Sequence, residues 1–184
     1  MESNYDQLIS KVNEFIQKFY LNKLLQGTIY ASALLLVLYL FLFVFVYYAN
    51  PGIALKTALF FTFVIAAIII VVLLIVNPAL SYFKLGKNLS IQQAALLIGN
   101  HFFNVKDKLI NTLQLKELSD KNPKDNMLIM AGIDQKIMEL KPVPFASAIR
   151  LKDNRRYIKY FLAPLSVIIL IAVISPAILR EGTN

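Results

Sequence analysis

The 184 residues are 58% apolar and carry nineteen Lys and Arg against eleven Asp and Glu, a formal charge of +8. That apolar share, with a mean hydropathy of +0.61, exceeds what one soluble domain uses, so part of the chain must face something other than water. The absence of cysteine excludes disulfide frameworks, thiolate nucleophiles, thiolate metal sites and a lipoprotein anchor.

Residues 1–23 read as an amphipathic helix on which Tyr5, Leu8, Ile9, Val12, Phe15, Ile16 and Phe19 form a stripe, with Lys11, Glu14 and Lys18 off it. Ser3 and Asp6 have capping-box spacing at its start. The stripe has two possible destinations, the protein's own polar domain or the membrane interface. No secretory signal pattern precedes the first apolar run, so that run is expected to remain in the mature protein.

Uncharged stretches lie between Lys23 and Lys56, Lys56 and Lys84, and Lys159 and Arg180. Each holds about the 20 residues that a helix needs to cross hydrocarbon. The first two predict a helical hairpin over residues 24–78, with one span from Leu24 to Tyr48, a turn at Asn50-Pro51-Gly52, and a second span from Ile53 to Val76. Asn77-Pro78 marks the expected exit, because the residue before a proline disfavours helical geometry. Tyr47, Tyr48, Tyr82 and Phe83 fall where amphipathic rings meet an interface. A third span is predicted within residues 157–180, with Pro164 tolerated near its start and Pro176 bending or ending it.

Residues 79–156 then form a small domain of three short helices. Ser90 with Gln93 caps the first and Gly99 stops it; Asn104 with Asp107 starts the second, striped by Val105, Leu109, Leu113 and Leu118. A third, from Asn126 to Leu140, presents Met127, Met130, Ala131, Ile137 and Met138 and ends at Lys141-Pro142. Pro142 to Phe145 is expected to be extended. Such a core is small enough that added cover from the N-terminal stripe or the membrane is anticipated.

Fourteen Lys or Arg lie from Lys84 to Lys159, including the cluster Arg150, Lys152, Arg155, Arg156 and Lys159 directly before the third span, whereas Lys56 alone flanks the Asn50 turn. Cationic flanks stay on the cytoplasmic side, which puts the middle domain and the N-terminus inside and the C-terminus outside. The basic cluster is the membrane-orienting element.

Residue types for chemistry are sparse. The one histidine, His101, stands beside Phe102 and Phe103, which fits packing better than acid–base work. Gly86-Lys87 lacks the upstream glycine and the following Ser or Thr of a phosphate loop. Asn88-Leu89-Ser90 matches a glycosylation acceptor on the side expected to be cytoplasmic, so the match is read as chance. The spans hold Thr28, Ser32, Thr57, Thr62 and Ser166 but no ionisable group in their interiors, against a pump or ion-coupled transporter. Nucleic acid is not an expected partner, because the densest cations abut a span, where topology and anionic headgroups account for them. No catalytic, cofactor-binding or metal-ligating residue is assigned. The expected partners are the lipid bilayer and a protein docked on the cytoplasmic domain. Close-approach pairs such as Gly27 with Ala31, or Ala54 with Ala58, keep open an alternative, the subunit of an oligomeric channel or transporter.

The runs His101–Leu118 (HFFNVKDKLINTLQLKEL), Ile133–Ile137 (IDQKI) and Leu140–Ile149 (LKPVPFASAI), with Asn4–Ser10 (NYDQLIS) and Arg180–Asn184 (REGTN), resemble a family of large Bacteroidota envelope proteins classified only as a domain of unknown function. The resemblance implies an all-α membrane anchor in the bacterial inner membrane. It also implies that residues 181–184 begin an exported continuation. It supplies no catalytic residue.

Overall fold

The computed structural model describes residues 3–86, 88–121 and 126–174, and for 121 and 126–128 the backbone alone. The described residues are mostly helical, with no strand among them. The stretches Asn4–Ala49, Ile53–Tyr82 and Phe145–Ile174 are long and apolar enough to cross a membrane, which marks a multi-pass membrane-associated protein. The chain divides into two compact units: a helical unit, Met1–Tyr20 with Lys84–Arg150, and an apolar unit, Leu21–Phe83 with Leu151–Asn184.

The helical unit is built from the start of α1 (Asn4–Ala49), α4 (Ile91–His101), α5 (Lys106–Lys121) and α6 (Asn126–Leu140). Both capping boxes form. Ser3 and Asp6 exchange hydrogen bonds of 3.2 Å at the start of α1, and Ser90 and Gln93 do so at 3.0 and 3.1 Å at the start of α4. The N-terminal stripe packs inside this unit: Leu8, Val12, Phe15, Ile16 and Tyr20 are buried. Each large apolar side chain so removed from water contributes about 1.5–3 kcal/mol, which is how a small domain acquires an adequate core. Phe145, at the head of a 3-10 turn (Phe145–Ala148), is buried as well, where an extended run was expected.

Three local readings need correction. Gly99 does not end α4, which continues to His101. A Cβ there would stand 2.6 and 2.7 Å from the Lys106 Cγ and Cβ and 3.0 Å from its Cα, so the glycine makes room for the start of α5 instead. On α5, Leu118 is exposed, whereas Thr112 and Ser119 join Val105, Leu109 and Leu113 inside; Thr112 buries its hydroxyl by donating to the Lys108 carbonyl at 2.7 Å. On α6 the inward face is Ile133, Ile137 and Leu140, with Ala131, Met130 and Met138 outside. Isoleucine and leucine at i, i+4 and i+7 hold one line along the helix. The Met127 side chain lies outside the described ones.

The apolar unit contains the remainder of α1, then α2 (Ile53–Val71), a π turn (Val72–Val76), α3 (Asn77–Tyr82), a 3-10 segment (Leu151–Tyr157) and α7 (Ile158–Ile174). No break separates the amphipathic start of α1 from its apolar remainder. The helix ends as expected at the Asn50 turn, where Asn50 takes a left-handed φ of 38° and its N–H reaches the Val46 carbonyl at 3.0 Å, a helix-ending geometry that asparagine tolerates.

The second helical stretch does not stop at Asn77-Pro78. Proline lacks an N–H and its ring crowds the carbonyl four residues back, at Leu74. The π turn, in which the Asn77 N–H reaches the Val72 carbonyl, loosens the backbone there and lets the helix pass through Pro78 to Tyr82. The Leu74 carbonyl meets Gly27: a Cβ built on Gly27 would lie 1.8 Å from its oxygen. Cα–H to carbonyl contact at a close helix crossing is a weak hydrogen bond, offered here to a carbonyl for which residue 78 provides no donor. Ala31, one turn further along α1, is also buried. Pro164 lies inside α7 rather than at its start, and Pro176 falls outside the described residues.

Gly27→Val is expected to lower stability in detergent by about 1–3 kcal/mol, because the added atoms overlap backbone rather than a movable side chain. Gly52→Ala, where a Cβ meets nothing within 4 Å, should be neutral or slightly stabilising in the same thermal melts. Equal melting of the two variants would contradict the close crossing.

In the helical unit Lys108 bonds to Glu139 at 2.5 Å, tying α5 to α6. That hydrogen bond first, and the lysine's charge second, hold the Glu139 carboxyl below its ordinary pKa. A depressed carboxylate contributes stability above its unfolded pKa and loses it as pH falls through the folded one. The native protein should therefore exceed Glu139→Gln in stability at neutral pH. The gap should close below the ordinary glutamate range, and shrink with salt because both groups are exposed. Unfolding curves at a series of pH values measure it.

Candidate functional site

The basic segment predicted to orient the chain is the 3-10 segment Leu151–Tyr157 and the first turn of α7. About three residues per turn in such a helix put Leu151, Asn154 and Tyr157 on one side. Lys152 and Arg155 share a second, and Asp153 and Arg156 a third. Burial follows that division: Asn154 is buried, Leu151 and Tyr157 are half-buried, and Lys152, Asp153, Arg155 and Arg156 are exposed.

Asn154 is the anchor. Its side-chain Nδ2 donates to Asn22 Oδ1 at 2.8 Å, and its Oδ1 accepts from Gln26 Nε2 at 3.0 Å. Asn22 and Gln26 are one turn apart on α1, so one helix face reads both ends of one amide. One turn further along that face, Tyr30 sets its ring, tilted, 5.3 Å from Tyr157 and 6.1 Å from Tyr160. Arg156 donates to the Tyr157 hydroxyl at 2.7 Å and sits 4.8 Å over its ring. Lys159 lies 5.2 Å over Tyr160. The result is a polar clip with an aromatic floor; Arg156 and Lys159 lie over its rings, and Lys152 and Arg155 are exposed.

Of the five cations in the cluster, Lys152, Arg155, Arg156 and Lys159 belong to this unit. Arg150 closes the helical unit and is exposed there. Asn154, Asn22 and Gln26 were missed from sequence. The usable signal was polar and aromatic side chains at 22, 26 and 30, four apart, at the foot of an otherwise apolar helix.

The helical unit has an open hollow of about 580 Å³ along the polar side of α1, lined by Asp6, Asn13, Glu14, Gln17 and Lys84. A smaller one of about 220 Å³ lies between α4 and α5, beside Leu96, Ile110 and Leu113. His101 ends α4 with its ring 4.9 Å from Phe102, edge to face. Among the described residues no group of three His, Cys, Asp or Glu side chains is placed to hold a metal ion. Comparison with family models, curated proteins and solved structures finds no match for the chain.

Asn154→Leu should leave Asn22 and Gln26 unpaired and destabilise the clip by about 1–3 kcal/mol. Trypsin should then cut faster after Lys152, Arg155 and Arg156 in the detergent-solubilised chain. In a double-mutant cycle with Asn22→Leu the two losses should be coupled rather than additive; simple additivity would mean the amides act independently.

Proposed function

We propose that the chain is an inner-membrane anchor and interaction module of a larger envelope protein, whose helical unit sits on the cytoplasmic side and docks a protein partner. The partition of charge carries this reading: fourteen Lys and Arg from Lys84 to Lys159, against Lys56 alone near the Asn50 turn. Holding such a segment inside is the outcome favoured by the positive-inside rule. Packing supports one part of it, that the N-terminus and the middle segment share a side: residues up to Tyr20 form one compact unit with Lys84–Arg150, as two membrane crossings between them would require.

Docking is supported by the surface of the helical unit, which exposes Leu96 by 47%, Phe103 by 87%, Leu118 by 53% and Met138 by 66%. Singly exposed apolar side chains are ordinary; a partner would cover these four where they adjoin as one patch. The alternative, an oligomeric channel or transporter subunit, loses part of its motivation, because Gly27 and Ala31 are used within the chain; Ala54 and Ala58 remain exposed.

Fusions of a phosphatase active only in the periplasm, placed after Asn122 and after Asn184, test the orientation: silent at the first and active at the second. The reverse pattern removes the reading. A photo-crosslinker at Phe103 in native membranes should then trap one protein at stoichiometric yield, and failure across growth conditions would remove docking while leaving the anchor.

A further inference from the structure

We propose that Lys152 and Arg155 form a binding site for the phosphate headgroup of an anionic glycerophospholipid, held at the membrane surface by the Asn154 clip. The two cations share one outer side of the 3-10 segment, about 6 Å apart along its axis by the rise of such a helix. That separation lets both side chains converge on one phosphodiester. Asp153, the nearest acid in sequence, falls on the other outer side with Arg156, whose guanidinium is already engaged by Tyr157. Among the described residues, no ion pair joins Lys152 or Arg155 to a carboxylate.

Clustered cations on a mobile loop make a diffuse field. Here the buried Asn154 amide, bonded at both ends, holds the backbone between the two cations, so less conformational freedom is lost when an anion binds. The segment leads directly into α7, where Ile158, Tyr160 and Leu162 are exposed by 41%, 49% and 52%. Phosphate-binding cations thus adjoin side chains that require hydrocarbon. A ligand carrying a phosphate joined to acyl chains matches both halves, whereas free phosphate matches only one. The proposal does not depend on any protein partner.

The test uses the whole chain in a neutral detergent, offered phosphatidylglycerol or phosphatidylcholine with matched acyl chains and read by native mass spectrometry. Phosphatidylglycerol should be retained preferentially. Lys152→Gln with Arg155→Gln should reduce its retention roughly 10- to 30-fold, the effect expected for two surface cations. The charge-matched pair Lys136→Gln with Lys141→Gln, in the helical unit, should leave retention as in the native chain. Unchanged retention in the first pair, or equal loss in both, overturns the site. Displacement of the lipid by millimolar inorganic phosphate would show that the cations read a free anion, overturning the assignment to lipid.

Discussion

A polar group that leaves water must find a partner, and in hydrocarbon that demand falls on the chain itself. Its consequences run through both units. Among the described residues, no buried side-chain nitrogen or oxygen lacks a hydrogen-bond partner. In the spans, Thr28, Thr57 and Thr62 each return a hydroxyl to the carbonyl one turn back, at 2.8 to 2.9 Å. Where Pro78 withholds a donor, a π turn and a glycine on α1 accommodate the carbonyl that it strands. Where an asparagine is buried, two further amides meet it.

The same demand shapes α1, whose residues serve two units under different rules. From Leu8 to Tyr20 its stripe of large apolar side chains is drawn inward by the hydrophobic effect and completes a core that α4, α5 and α6 would otherwise leave thin. Beyond Leu21 the helix is apolar on most sides, so hydrophobicity no longer selects a face. Small residues and amides do so instead: Gly27 and Ala31 mark close packing, while Asn22 and Gln26 mark the contact with Asn154.

The proposed roles draw on these two selections. A helical core satisfied within itself leaves its exposed apolar side chains available to another protein. A 3-10 segment clipped by amides presents cations in a fixed arrangement beside a hydrocarbon-facing helix.

Helical class, the three apolar stretches, the Asn50 turn and both capping boxes were legible from sequence, because each depends on neighbours a few residues apart or on the bulk preference of a long apolar run. That Arg150, Lys152, Arg155, Arg156 and Lys159 are exposed is a result of the fold. The destination of the N-terminal stripe was not, since an amphipathic helix satisfies its apolar face equally well on a protein or at a membrane interface. Nor was the inward face of α6, where apolar residues surround much of the helix and only the neighbouring helices choose Ile133, Ile137 and Leu140. Pro78 read as a stop because local sterics oppose a helix there; a π turn and a glycine some fifty positions earlier overrule them. Asn154 looked like one polar residue in a polar run, and only the fold brings Asn22 and Gln26 to its two ends, because a hydrogen bond between distant segments leaves no periodic trace in either.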